Sequence, residues 1–436
     1  MKTVLIKNGR VIDPANQVDR IADILIEDGK IKSIGAIKSK PPASSAGRRR
    51  GDFKGEIIDA KGFVVTPGLI DMHVHLREPG KEDEETIASG VAAAVAGGFT
   101  SVACMPNTDP PIDNEASAEF VYLQARRAAK ANVFPIGTVT KGRKGEELSE
   151  IGQLCRGGAV AFSDDGDPVM NAEVMRRGLE YTAMFNRVVI SHCENKDLTK
   201  DGVMNEGLVS TLLGLPGMPA VAEEIMIHRD ITLTHSAQGR LHIAHLTTAG
   251  GVALVREAKK RGIKVSAEVT PHHFALTEES VKSFDPNFKM NPPLRTARDI
   301  KALHEGLKDG TIEVIASDHA PHSSEEKDVE FSLAPFGVIG METVLPLVIT
   351  ELVNKKVLSL PEAIARLTIN PARILGIPKG TLTAGVDADI TIIDLNKGWV
   401  IKPEDFRSKS RNCPFANWRV KGKVVKVLVG GEIVFG

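Results

Sequence analysis

Hydrophobic and polar positions follow one pattern at the two ends of this chain and another in its middle. Residues 1–66 and 380–436 contain short alternating or β-branched runs, such as VLIKNGRVID near the start and KGKVVKVLVGGEIVF at the end. NG, DG and KG pairs among these runs predict turns. We therefore expect both chain ends to contribute to one small β-domain.

From residue 67 to 379, short apolar runs alternate with helix-like stretches such as ETIASGVAAAVAGG and GGVALVREAKKRG. Eight β/α units of this kind predict an α/β fold, a (β/α)8 TIM-type barrel, whose active site lies at the carboxyl ends of its strands. A doubly wound open sheet is the alternative. The predicted strands are GLIDMHVH, TSVACMP, NVFPIGTVT, AVAFSDD, RVVISHCE, RLHIAHLTT, KVSAEVTP and EVIASDH.

Composition excludes several classes of protein. The 436 residues carry a formal net charge of −1 and only 4% aromatic residues, which favours neither a nucleic-acid nor a membrane partner. The N-terminus lacks an apolar signal core, and no apolar run approaches the ~18 residues of a membrane span. Four cysteines without a CxxC pair indicate free thiols and a cytoplasmic protein.

Histidine and aspartate recur where predicted strands end. His73 and His75 are two positions apart, so both side chains point to one face of the first strand. Alone, such a pair is more often a polar rim than a metal site, but four later strands also end in these residue types. Histidine and aspartate ligands without cysteine suit Zn²⁺ or Mn²⁺. The later strand-end residues are Asp164, Asp165, His192, His242, His245, Asp318, His319 and His322.

Longer motifs identify a known family. HVHLREP and ASDHAPHSSEEK resemble the two signature motifs of dihydroorotases in the amidohydrolase superfamily, and MPNTDPPID, FSDDGDPVM and MNPPLR match the same family. The similarity covers nearly the whole chain and is to the long-chain bacterial type. It implies the reversible cyclisation of N-carbamoyl-L-aspartate to L-dihydroorotate with loss of water, the third step of de novo pyrimidine biosynthesis.

The resemblance also implies a role for individual residues. The site would hold one or two Zn²⁺ ions, Asp165 would be shared between the two metal positions, and Asp318 would be both a ligand and the general acid and base. A homodimer and a complex with aspartate carbamoyltransferase are left open. The implied metal ligands are His73, His75, Asp165, His192, His245 and Asp318. The implied substrate contacts are His75, Arg77, Asn107, Asn291, His322, Phe336 and Gly337.

Three other functions stay open. Hydantoinases and allantoinases resemble this chain, but they place a carboxylated Lys at the end of strand four, and AVAFSDDGDPVM contains none. An inactive subunit that only scaffolds aspartate carbamoyltransferase would have lost metal ligands, and none is missing. A nucleic-acid-binding role would depend on Arg48, Arg49 and Arg50.

Residues 38–54, KSKPPASSAGRRRGDFK, are rich in Pro, Ser, Gly and Arg, which predicts a mobile surface loop because such a composition cannot pack a core. Deleting residues 40–52 should therefore leave the melting temperature and turnover nearly unchanged. Thermal denaturation and steady-state assays of the deletion variant and its parent measure both. A large drop in either would mean that this segment packs on the barrel or on a partner.

Overall fold

The computed structural model describes residues 2–36 and 55–436. The loop predicted at 38–54 and the nucleic-acid hypothesis on Arg48, Arg49 and Arg50 lie outside the described residues. Five strands come first in the chain. They are β1 (Thr3–Asp13), β2 (Val18–Glu27), β3 (Lys30–Gly35), β4 (Glu56–Asp59) and β5 (Val64–Pro67).

Two of the predicted turns are observed, and one prediction is wrong. At Lys61–Gly62 the Phe63 N–H donates to the Ala60 carbonyl at 3.0 Å, and Gly62 has φ 86°. Asp28 and Gly29 both have positive φ (49° and 78°) between β2 and β3, as a tight hairpin requires. Asn8 and Gly9, however, lie inside β1, where the register with β2 shifts between Ile6 and Gly9. Asn8 has φ 63°, so this NG pair forms a bulge in a continuous strand instead of a turn.

Ten strands follow in the middle of the chain. Eight of them form one parallel sheet in the order β15-β14-β13-β10-β9-β8-β7-β6, while β11 and β12 pair with each other. All eight predicted strands are present. The ten are β6 (Leu69–Val74), β7 (Phe99–Cys104), β8 (Asn132–Gly137), β9 (Ala161–Phe162), β10 (Val188–Ser191), β11 (Met204–Asn205), β12 (Gly217–Met218), β13 (Leu241–Ile243), β14 (Val265–Val269) and β15 (Val314–Ile315).

The parallel sheet closes into a barrel. Val74 at the end of β6 forms a parallel bridge with His319, just after β15, and the His75 N–H donates to the His319 carbonyl at 2.8 Å. Between β10 and β13, Ser191 pairs with Ile243, so the strand ends that carry His192 and His245 lie side by side. The (β/α)8 barrel prediction is confirmed.

Helices surround the barrel, and buried aliphatic side chains such as Val91, Val121, Leu179 and Val252 fill the layer between helices and strands. The α-helices are α1 (Ile87–Ala96), α2 (Glu115–Ala128), α3 (Ile151–Arg156), α4 (Ala172–Met184), α5 (Lys196–Thr199), α6 (Leu208–Leu213), α7 (Val221–Ala237), α8 (Ala249–Lys260), α9 (Pro271–Ala275), α10 (Ala297–Lys308), α11 (Ser324–Lys327), α12 (Val344–Leu347), α13 (Leu360–Arg366) and α14 (Ile369–Leu375). A π-helix spans Val348–Val353. Among the described residues, no helix has the length and apolar character that crossing a bilayer demands.

One end of the barrel is closed by α14. Arg187 and Arg240 directly precede β10 and β13, and their guanidinium groups donate to the carbonyls of Leu375 and Ile374. Side chains inside the barrel join Leu375 in one buried cluster. Because α14 covers the amino ends of the strands, only their carboxyl ends are left for a site.

Three strands at the end of the chain complete the β-domain. They are β16 (Ile390–Val400), β17 (Arg419–Val429) and β18 (Glu432–Phe435). One sheet runs in the order β18-β17-β16-β5-β1-β2-β3, with β4 beside β1, so both chain ends contribute to it as predicted. The Thr391 hydroxyl donates to the Gly98 carbonyl at 2.6 Å and ties this sheet to the barrel. The domain boundaries at 66/67 and 379/380 stay predictions.

Candidate active site

Six side chains from five barrel strands meet at the open end of the barrel. His73 is the penultimate residue of β6, and the others follow the ends of β6, β9, β10, β13 and β15 directly or within a few residues. Each residue is at most 8% exposed, so the cluster is shielded from bulk water. Its members are the six predicted metal ligands His73, His75, Asp165, His192, His245 and Asp318.

Four of these side chains surround one position. The Nε2 atoms of His73 and His75 lie 3.5 Å and 3.1 Å from Oδ1 of Asp318. The same two nitrogens each lie 3.5 Å from an oxygen of Asp165. Nitrogen and oxygen atoms from three different strand ends therefore lie close together, and those of His73, His75 and Asp165 are all within 4.8 Å of one another.

Asp165 also belongs to a second group of ligand atoms. His192 Nδ1 and His245 Nε2 are 2.9 Å apart, and they lie 3.7 Å and 3.5 Å from Asp165 Oδ1. One carboxylate is thus shared between two histidine pairs. Two adjacent groups of side chains, which share Asp165, therefore have the composition and spacing that could hold a metal ion.

The cluster fits a bound metal ion. His73 Nε2 and Asp165 Oδ1 are buried without a hydrogen-bond partner among the described residues. Burial would lower the pKa of His73, but the neighbouring carboxylates, with Asp165 first among them, outweigh it and raise that pKa. Unsatisfied nitrogen and oxygen atoms in a negative environment are the ligand set of a divalent cation.

A second layer of side chains orients two of the histidines. His73 Nδ1 lies 2.5 Å from Glu268 Oε1, and His75 Nδ1 lies 2.7 Å from Asn107 Oδ1. Since both oxygens accept, each Nδ1 carries the proton and each Nε2 keeps its lone pair for a metal. Burial opposes the charge of Glu268, but His73 and His242 outweigh it and lower the pKa of that carboxyl to about 2. Sequence analysis missed Glu268.

Other strand-end residues are held by protein groups. The Asp164 carboxylate accepts the backbone N–H groups of Val139 and Thr140 at 2.8 Å and 3.1 Å. It therefore stabilises the loop after β8, while Asp165 faces the cluster. His242 is buried against Glu268, and His319 accepts the Gly340 N–H at 3.1 Å.

The backbone at the site is strained. His245, Asp318 and Arg77 have φ of 30°, 47° and 62°, a region that residues other than glycine rarely adopt. All three stand just after barrel strands, where the chain turns away. Such outliers concentrate at functional sites because the surrounding structure must enforce them.

A cavity of about 710 Å³ opens from the cluster to the surface. Its volume is large enough to hold a small molecule beside the predicted metal ligands. The predicted substrate contacts, from segments far apart in sequence, line this one cavity: His75, Arg77, Asn107, Asn291, His322, Phe336 and Gly337.

Arg77 is buried at the wall of this cavity, with 7% exposure. Its Nε lies 2.8 Å from Glu84 Oε2 and donates to the Pro321 carbonyl at 3.1 Å. Burial lowers its pKa, although Glu84 and Asp318 oppose that shift. These contacts use the Nε side of the guanidinium and hold the group in one orientation.

His322 and the Phe336–Gly337 backbone already bind each other. His322 Nε2 donates to the Phe336 carbonyl at 2.8 Å, and burial together with the Arg77 charge lowers the pKa of His322 to about 2. The Gly337 N–H donates to the Lys289 carbonyl at 3.0 Å. A ligand carboxylate must therefore compete with a backbone carbonyl for the N–H at Nε2 of His322.

Two further cavity residues were missed by sequence analysis. Lys289 is 3% exposed, donates to the Ser332 carbonyl at 2.8 Å and lies 4.8 Å from the centre of the Phe336 ring. Burial lowers its pKa to about 8. Glu194, two residues after His192, is the other. Lys289 directly precedes the MNPPLR motif and Glu194 ends the predicted strand RVVISHCE, and these positions were their only signal in the sequence.

The fold and this cluster define an amidohydrolase. Residues 62–250 match the family model described as Dihydro-orotase-like, and residues 220–435 match the one described as Amidohydrolase family. The chain is 55% identical to the dihydroorotase of Pelotomaculum thermopropionicum over 431 residues, which cover 99% of this chain and 98% of that protein. The chain belongs to the dihydroorotase family.

A second dihydroorotase and a solved hydantoinase structure are also similar to this chain over nearly its whole length. Identity to the dihydroorotase of Syntrophus aciditrophicus is 48% over 432 residues, 99% of either chain. Among solved structures, the L-hydantoinase of Arthrobacter aurescens matches with a TM-score of 0.86 and 29% identity, over 99% of this chain and 96% of that one. The resemblance inferred from the motifs is confirmed.

The ligand cluster predicts that the purified protein contains a divalent metal. His73→Ala should lose metal and activity together, because it removes a nitrogen that has no other partner. Elemental analysis beside an activity assay measures both. His228→Ala, which changes an exposed histidine on α7, is the matched control and should keep both. Full activity in a metal-free preparation would contradict the prediction.

Proposed function

We propose that this enzyme catalyses the reversible cyclisation of N-carbamoyl-L-aspartate to L-dihydroorotate with loss of water, a step of de novo pyrimidine biosynthesis. The observation that carries the proposal is the position of Arg77, a buried cation on the wall of the cavity that ends at the ligand cluster. Relatives named dihydroorotase, aligned over 99% of the chain, support it.

We propose Zn²⁺ as the metal, in one or two positions. His73, His75 and Asp318 would hold the first ion, His192 and His245 the second, and Asp165 would bridge them. A divalent ion supplies Lewis acidity there: it lowers the pKa of a water and polarises an amide carbonyl. The sharing of Asp165 between both ligand groups supports this assignment.

Asp318 is the proposed general acid and base. It lines the cavity, and burial opposes its charge, but His73 and His75 outweigh burial and hold its pKa well below the ordinary value. In hydrolysis it takes the proton of the attacking water and gives it to the leaving ring nitrogen. In ring closure it accepts a proton from the ureido nitrogen and returns it to the departing water.

Arg77 and Asn107 suit the carboxylate of the ring. A guanidinium binds a carboxylate with paired, charge-assisted hydrogen bonds. Asn107 uses its Oδ1 on His75, which leaves its NH2 group as the end that can donate to a ligand. Two donors of this kind beside the ligand cluster match a substrate that carries a carboxylate next to its amide.

The alternatives fit less well. A hydantoin ring has no carboxylate for Arg77, and the segment after β9 has no Lys, although a hydantoinase shares the fold. An inactive scaffolding subunit would not need a complete ligand set, and all six side chains converge here.

We also propose a cytoplasmic location. All four cysteines are free thiols, as is usual for proteins of a reducing compartment. The homodimer and the complex with aspartate carbamoyltransferase stay predictions, which light scattering with and without that enzyme would test.

Asp318→Asn should keep the fold and lose most turnover, because an amide cannot carry the proton. General acid–base assistance contributes about 10²–10⁴-fold, and disturbed metal binding adds to the loss. Steady-state kcat, circular dichroism and metal content separate these effects. A near-normal rate would show that the base is another group.

The unaltered enzyme should turn over L-dihydroorotate strongly and dihydrouracil or hydantoin weakly. Buried donors that meet no acceptor stay desolvated and unpaired, so a ring without the carboxylate is penalised. Measured kcat/KM for the three compounds tests this. Comparable values would favour a broader cyclic amidase.

Arg77→Ala should weaken dihydroorotate use by about 2–5 kcal/mol, the cost of losing a buried charged contact. It should barely change the poor rate on dihydrouracil. Because Arg77 also pairs with Glu84, a double variant with Glu84→Gln controls for the unpaired carboxylate. Equal losses on both substrates would show that Arg77 stabilises the fold and does not recognise the carboxylate of the substrate.

A further inference from the structure

Glu194 connects the ligand cluster with the substrate cavity. Its side chain is only 6% exposed. Oε2 lies 2.9 Å from His192 Nε2, 2.7 Å from Lys196 Nζ and 3.0 Å from Asn291 Nδ2. The Thr199 hydroxyl donates to Oε1. Four side chains therefore donate hydrogen bonds to this one buried carboxylate, and none of the four is itself a carboxylate that would repel it.

The first contact fixes the tautomer of His192. A carboxylate only accepts, so the proton of this imidazole stands on Nε2. The lone pair is then on Nδ1, which lies 3.7 Å from Asp165 Oδ1 and 2.9 Å from His245 Nε2. Carboxylates that hold the far nitrogen of a ligand histidine in this way orient the ring and strengthen metal binding.

The second contact fixes the side-chain amide of Asn291. The two ends of an asparagine amide are distinguished by their partners, and only the NH2 end can donate to Glu194. Asn291 lines the cavity, so its Oδ1 is the end that can serve a ligand. This amide therefore presents an acceptor, whereas Asn107 presents a donor.

We propose that Glu194 is a positioning residue that sets both His192 toward the metal and the Asn291 carbonyl toward an N–H of the substrate. The substrate part rests on the proposed function, because dihydroorotate and N-carbamoyl-L-aspartate both carry the N–H groups of a urea unit. The metal part depends only on this chain and a divalent ion.

The metal part is tested without substrate. Competition between the purified protein and a chelator for Zn²⁺ measures the affinity of the site. Glu194→Ala should bind zinc about 10–100-fold more weakly, as is typical when the hydrogen-bond partner of a ligand histidine is removed. Asp197→Asn removes an exposed carboxylate from the same segment and should leave zinc affinity unchanged. Unchanged affinity in Glu194→Ala would overturn the proposal.

The substrate part is tested by a double-mutant cycle on KM for dihydroorotate at saturating zinc. Glu194→Ala and Asn291→Ala should each raise KM about tenfold or more, and the double variant should be no worse than Asn291→Ala alone. Zinc affinity should fall only where Glu194 is replaced. Additive effects on KM would overturn the proposal.

The variant Glu194→Gln removes the negative charge but keeps the shape and hydrogen-bonding capacity of the side chain. It also keeps the test decisive if the alanine variant misfolds. Its amide oxygen can keep the contacts of Oε2, and its NH2 group can donate to Thr199. Zinc affinity and KM should therefore stay within about tenfold of the parent. A glutamine variant that folds, yet is as impaired as alanine, would overturn the positioning role. If the parent fails to use dihydroorotate, the proposed function is wrong, and the chelator result still decides the metal part.

Discussion

Asp165 lies within 3.7 Å of four imidazole nitrogens and is itself only 4% exposed. Burying a carboxylate costs several kcal/mol unless charge and hydrogen bonds compensate it. Burial alone would raise the pKa of Asp165, but His73 and the other histidines outweigh it and hold that pKa well below its ordinary value. The histidines can compensate the negative charge of the Asp165 carboxylate when they are protonated. A divalent cation can replace those protons, which returns the imidazoles to neutral ligands.

The barrel explains why these residues can be brought together at all. The residues of the cluster stand at or just after the ends of barrel strands. Parallel pairing places neighbouring strand ends side by side, as the pairing of Ser191 with Ile243 shows. The opposite end is occupied by α14, which the guanidinium groups of Arg187 and Arg240 hold in place. The chain then turns sharply away, and Asp318 and His245 adopt left-handed backbone there. The cluster is thus a consequence of topology, at a local cost in strain.

Much of this arrangement could be predicted from sequence because it depends on periodicity. Strand alternation puts His73 and His75 on one face, and the β/α repeat puts later histidines and aspartates at the same edge. The partners behind these ligands follow no such rule. Glu268 reaches His73 across 195 positions, and no spacing in the sequence marks that contact. The Asn8–Gly9 pair was misinterpreted because a bulge and a hairpin turn favour the same residues.

The hydrogen bonds behind the cluster connect the predicted metal ligands with two asparagines that line the cavity. Asn107 touches the ligand His75 directly, and Asn291 reaches the ligand His192 through the single carboxylate of Glu194. In each case the contact uses one end of the amide and leaves the opposite end for the cavity. One asparagine then offers a donor and the other an acceptor, which together match a ring with a carboxylate on one side and an N–H on the other. A change to Asn107 therefore acts directly on His75, whereas Asn291 and His192 are coupled only through Glu194, so that carboxylate is the residue whose loss affects both sides of the site.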